Sequence, residues 1–138
     1  MDPLRIFQPL CALVALTFLV LLRIPYLRIR AVRARRVRVS DFSLGESADV
    51  PSDVSIPNRN YMNLLELPVL FYVLLIALYV TQRVDGVQLA CAWGYVALRV
   101  GHSLVHLTYN NVLQRLVLFA LSNVLLSVMW IYFARGIL

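Results

Sequence analysis

The residues best suited to chemistry form two short stripes and one isolated cation. Arg59, Asn63 and Glu66 stand at i, i+4 and i+7, while Arg99, His102 and His106 stand at i, i+3 and i+7. Each spacing marks one face of a helix, and Tyr95 extends the second face by a turn. Arg115 opens the apolar run that follows the second stripe. Guanidinium, imidazole and amide groups gathered at one depth make a cationic, donor-rich pocket suited to an anionic ligand. Both stripes lie in otherwise apolar sequence, where an ionised side chain is costly unless paired. From the helix rise, Glu66 lies roughly 9 Å inside a helix entering at Asn60, and Arg99 roughly 12 Å inside one leaving near Leu107. Matching depths on antiparallel neighbours predict a structural ion pair between Glu66 and Arg99. Arg59, Asn63, His102, His106 and Arg115 are then left to a ligand, with any contact from Glu66 secondary.

The elements that must position these groups are membrane helices. Hydrophobic residues make up 61% of the 138 residues against 14% charged, a balance foreign to a soluble domain. Four apolar blocks predict an all-α integral membrane protein, a four-transmembrane-helix up-down bundle with spans near 6–24, 60–81, 87–107 and 113–134. Spans two and three reach the roughly 20 residues a bilayer demands only if the polar residues lie inside them. An arginine-rich stretch, Arg28 to Arg38, follows the first block, and a Ser- and Pro-containing segment completes a predicted loop over 28–58. All 13 basic residues are arginines. Their concentration in that loop predicts that it is cytoplasmic, meets anionic headgroups, and leaves both termini outside. A cleaved signal peptide is disfavoured, because arginines stand where a small-residue cleavage site should be.

Other chemistries find little support. His102 and His106 make half a metal site with no third ligand at hand, so no metal is expected. Cys11 and Cys91 lie in different apolar blocks and read as packing residues. Ser103 has no acidic orienter nearby for a hydrolase triad. The arginine run, placed directly after a span, reads as a membrane anchor, and no nucleic acid is expected as a partner.

Taken together, the R-x-x-x-N-x-x-E run opening span two, Pro68, Arg99-x-x-His102-x-x-x-His106 and Arg115 resemble the MAPEG family, the membrane-associated proteins in eicosanoid and glutathione metabolism. The stretch from His102 to Asn111 is similar to its bacterial branch, which implies an inner-membrane location. The resemblance implies a homotrimer with glutathione, as cosubstrate, between adjacent subunits on the cytoplasmic side. Arg59, Asn63 and Glu66 would contact the tripeptide, His102 and His106 would line the site, and Arg30 is the best match to the family's helix-one arginine. Arg115 matches the arginine credited with holding the glutathione sulfur as thiolate. His106 stands where characterised members carry a tyrosine. Met62 and Leu116 replace an arginine and a serine of prostaglandin E synthase, which speaks against that activity.

The function implied is glutathione transferase or peroxidase activity on lipophilic electrophiles dissolved in membrane lipid. A non-catalytic lipid-binding or scaffold role on the same fold is the alternative. A small multidrug transporter is a third reading, weakened because such transporters carry their essential glutamate in the first helix, where this chain has none.

Overall fold

A computed structural model describes residues 2–43, 45 and 47–137. Among them every regular element is helical. Five helices follow one another: α1 Phe7–Arg33, α2 Ser52–Leu65, α3 Pro68–Val80, α4 Gly86–Leu107 and α5 Val112–Arg135. Short 3-10 turns at Pro3–Ile6 and Val39–Phe42 complete the described secondary structure. Because α2 and α3 run end to end, the chain makes four passes. α5 packs along α4, α2 packs along α1, and α4 also meets α1 and α2.

Three stretches are long and apolar enough to cross a membrane: Pro3–Arg33, Ser52–Val80 and Val112–Arg135. The sequence predicts four, and α4 is the one that does not qualify. Its inward face explains why, since Gln88, Arg99, His102, Ser103 and His106 are all buried there. A helix carrying its polar groups toward its neighbours is shielded from lipid by them, and its composition then understates how apolar its outer face is.

The core is a band of apolar side chains from every pass. Leu13 and Val20 of α1 meet Leu64 of α2, Phe71, Leu74 and Leu75 of α3, and Leu126 and Met129 of α5. Tyr95 of α4 is fully buried and stacks on Phe71 with ring centroids 4.4 Å apart. Gly94 lets α4 and α5 approach closely, since a Cβ there would sit 3.3 Å from a Leu125 methyl. Small residues at such contacts are how helices pack in lipid, where no hydrophobic force drives them together.

Two boundaries differ from the sequence reading. The first helix runs on past Pro25 to Arg33, so the long connection begins at Ala34 and not near Arg28. The second begins at Ser52, eight residues ahead of Asn60, with Pro57 inside it. Both prolines remove a helix hydrogen bond. Burial offsets that loss at Pro57, which α2 turns inward, and Val54 beside it packs with Ala31, Val37 and Val50 in a small second cluster. Arg36 closes this region with a two-pronged contact to Asp53, at 2.9 and 2.8 Å.

The second pass is also not one continuous helix. Pro68 has no N–H to give the Leu64 carbonyl, and at Glu66 the backbone leaves helical geometry, with φ −80° and ψ −101°. α3 restarts with Pro68 in its first turn, a position that requires no N–H.

Candidate functional site

The break between α2 and α3 decides what happens to Arg99. A helix that ends here leaves its last carbonyls without intrahelical donors. The Arg99 guanidinium, fully buried, reaches across from α4 and donates through Nη2 to the carbonyl of Asn63. It also lies 5.5 Å from the centre of the Phe119 ring, within cation–π range. Among the described residues no ion pair joins Arg99 to Glu66, so the pairing expected from matched depths is corrected. Depth was the wrong criterion because the helix does not continue through Glu66: the chain turns there and leaves the carboxylate exposed beside a cavity.

Arg115 belongs to the first turn of α5, and its surroundings come from the turn before it. Its Nη1 lies 3.0 Å from Asn110 Oδ1 and 2.9 Å from His106 Nδ1. His106 Nδ1 is in turn 2.9 Å from Asn110 Oδ1. Guanidinium only donates and an amide oxygen only accepts, so Arg115 gives one proton to Asn110. His106 completes the triangle either by donating from Nδ1 to Asn110 or by accepting from Arg115. The bond from Arg115 to Asn110 is common to both cases, and only the second adds a bond from the guanidinium to His106. His102, one turn earlier, donates from Nδ1 to the Arg115 carbonyl at 3.1 Å, a pairing that requires the proton on Nδ1 and leaves Nε2 as an acceptor.

These groups border one cavity of about 440 Å³. Arg59, Asn63 and Glu66 form one wall, His102, His106 and Arg115 another, and Met62, Val112, Leu116 and Phe119 supply apolar surface. The volume falls within the roughly 300–1,000 Å³ typical of small-molecule sites. Two guanidiniums, one carboxylate and the positive end of α5 favour a ligand whose net charge is negative. Five residues of the two stripes thus border the same cavity as Arg115, whereas Arg99 is not among its lining residues. Arg30 does not join them: it lies on α1 beside Tyr26, Ile29 and Arg33, at a separate surface hollow.

A family model, the MAPEG family, matches residues 6–135. The chain belongs to the MAPEG family. Neither curated proteins nor solved structures yield a match to it. Membership makes the chain a membrane protein related to glutathione and eicosanoid metabolism, in a family that generally uses glutathione. Among the described residues of this MAPEG chain, no three His, Cys, Asp or Glu side chains are grouped to hold a metal ion.

Three features of the MAPEG site are absent from the sequence reading. Asn110, the hydrogen-bond partner of both Arg115 and His106, follows α4 with a positive φ of 48°. Asparagine is among the few residues that tolerate this conformation, and its N–H returns to the Val105 carbonyl at 2.8 Å to close the helix. An asparagine one turn past a helix end is a recognisable signal for such a cap. Asn60 and Ser103, both buried, link α2 to α4 through a 3.3 Å hydrogen bond behind the cavity. Phe119, one turn beyond Arg115 on α5, presents its ring to Arg99 and to His102.

Proposed function

We propose that the chain is a glutathione-dependent membrane enzyme of the transferase or peroxidase type, acting on lipophilic electrophiles. The observation that carries this reading is Arg115, held by Asn110 beside His106 in a cavity whose other wall is Arg59, Asn63 and Glu66. Glutathione offers carboxylates for Arg59 and an ammonium for Glu66. Its amide groups suit Asn63, and the imidazoles of His102 and His106 face the same space. The donor set and the cavity volume both fit such a molecule.

Arg115 would act on the sulfur. A free cysteine thiol has a pKa of about 8.5, and an adjacent guanidinium favours the thiolate, which is the nucleophile. The thiolate then forms a C–S bond with an electrophilic carbon while the leaving group departs with its electron pair. Met62, Val112 and Leu116 border the cavity on its apolar side, where an electrophile partitioned into lipid would arrive.

The assembly belongs to the same proposal. α4 would be the fourth span, its polar face covered by the other passes, and three copies would associate within the membrane. Arg30, remote from the cavity in a single chain, can reach a ligand only at the cavity of a neighbouring copy. The basic connection after α1 and the cavity would face the cytoplasm, with both termini outside.

The test is titration of glutathione into the purified, detergent-solubilised protein, read as thiolate absorbance, with conjugation of a general electrophile as the second measurement. Thiolate that forms with wild type and vanishes on Arg115→Gln is the expected result. Absence of both thiolate and conjugation would sink the enzymatic reading. Parallel titration with other low-molecular-weight thiols decides which thiol the site prefers.

A further inference from the structure

A second polar cavity, of about 530 Å³, lies at the other end of the bundle. It is bordered by the turn between α3 and α4 and by the C-terminal end of α5. From Gln88 to His106 along α4 is roughly 27 Å of helix rise, and the two cavities share no residue.

Gln88 is the informative group here. Its side chain is 1% exposed, and Nε2 donates to the Met129 carbonyl at 3.2 Å. That carbonyl can accept only from the NH₂ side, which fixes the amide orientation and leaves Oε1 as an acceptor. Oε1 is buried without a hydrogen-bond partner. A bare buried acceptor is costly, and a native one calls for an explanation. Asp85 does not supply a donor: it caps α4 by accepting from the Gln88 N–H at 2.7 Å, and its other oxygen accepts from the Tyr132 hydroxyl at 3.0 Å.

Two cations border the same cavity as Gln88. These are Arg83 and Arg135, and the Arg83 guanidinium lies against Gly136 where a Cβ would displace it. With Asp85 as the single carboxylate among the described lining residues, their side chains carry a net positive charge. The candidate spans end at Val80 and Arg135, which sets this cavity at the depth of lipid headgroups.

We infer that this cavity binds a phosphorylated polyol: a phosphate held between Arg83 and Arg135, with a hydroxyl of the same molecule donating to Gln88 Oε1. Guanidiniums match phosphate oxygens in forked pairs, and a hydroxyl supplies the donor that the buried amide oxygen lacks. The same chemistry is found in a glycerol phospholipid headgroup and in a free sugar or glycerol phosphate. Membrane depth favours the former.

Binding to the delipidated full chain in detergent, read by native mass spectrometry, tests this directly. One arm titrates phosphatidylglycerol against phosphatidylcholine, whose quaternary ammonium has no proton to donate. The other titrates glycerol 3-phosphate in water. Wild type should prefer phosphatidylglycerol to phosphatidylcholine by about tenfold or more, the range expected when one buried acceptor is left unpaired. Arg83→Gln and Arg135→Gln, both at exposed positions, should each weaken binding by about tenfold. Gln88→Leu should erase the preference for the hydroxylated headgroup while phosphate affinity remains. Tight binding of glycerol 3-phosphate would assign the site to a soluble ligand, and binding of the lipid alone would assign it to the membrane. Equal affinity for the two lipids, or undiminished binding in the double arginine variant, would overturn the inference. Loss of glutathione binding elsewhere in the chain leaves this outcome unaffected.

Discussion

Replacing Asn110 by aspartate separates two roles that Arg115 could have. The substitution is nearly isosteric, keeps an acceptor at the position now 3.0 Å from Arg115 Nη1, and suits the left-handed backbone at φ 48°. It adds one negative charge directly against the guanidinium. If Arg115 only ties α5 to α4, the new ion pair should leave stability unchanged or raise it by a few tenths of a kcal/mol. If Arg115 holds a thiolate, the carboxylate competes for the same cation. The penalty is the repulsion between this carboxylate and a thiolate across the guanidinium: two unit charges about 6 Å apart at an effective dielectric near 20 interact by roughly 3 kcal/mol. Arg115 is only half-buried, so with solvent screening this becomes about 1.5–3 kcal/mol, the range of a charged hydrogen bond. That corresponds to one or two units in the thiol pKa, or about a 10- to 100-fold loss of thiolate at neutral pH. The pH titration of glutathione thiolate absorbance, run beside thermal unfolding in the same detergent, reads both quantities. Thiolate formation equal to wild type in a folded Asn110→Asp protein would refute the role given to Arg115.

Other substitutions probe how the site is built. Glu66→Gln should change unfolding stability by less than about 0.5 kcal/mol, because Arg99 is held by the Asn63 carbonyl and not by this carboxylate. A loss of several kcal/mol in thermal unfolding would restore the buried ion pair. Arg99→Ala should cost about 2–4 kcal/mol, since it empties a fully buried site and leaves the open end of α2 without its donor. Gly94→Leu should pry α4 from α5 against Leu125 and lower stability by about 1–3 kcal/mol, visible as a reduced melting temperature. Arg36→Ala, which removes a surface pair to Asp53, should leave the melting temperature nearly unchanged yet raise proteolysis in the connection after α1.

What the sequence disclosed follows from what spacing can report. A 3.6-residue period identifies which side chains share a helix face, and Arg59, Asn63 and Glu66 border one cavity with His102 and His106, though Arg99 of the second stripe does not. Hydropathy likewise finds the three helices whose composition is apolar throughout, and α4, whose polar groups point inward, falls below that measure. Prolines differ in effect. α1 runs on through Pro25, and α2 through the buried Pro57. Pro68 sits within an uninterrupted apolar run, and there the helix does break.

The two surprises at the site have a common origin in helix ends. Spacing assumes a continuous helix, so it assigned Glu66 a direction it could have only if α2 ran on into α3. The break instead frees a backbone carbonyl, which accepts a charged hydrogen bond from Arg99 Nη2 without bringing a second ion into the bundle, while Nε and Nη1 stay buried without a hydrogen-bond partner. Glu66 is thereby released to the cavity. At the other wall, the partner of Arg115 comes from the cap of α4, through a residue whose left-handed backbone no face diagram represents. The cavity therefore keeps one carboxylate and two guanidiniums facing a common space, and that is a charge pattern for a zwitterionic ligand with an excess of anionic groups. Had the Glu66–Arg99 pair formed, the same residues would have made a cavity with cations alone.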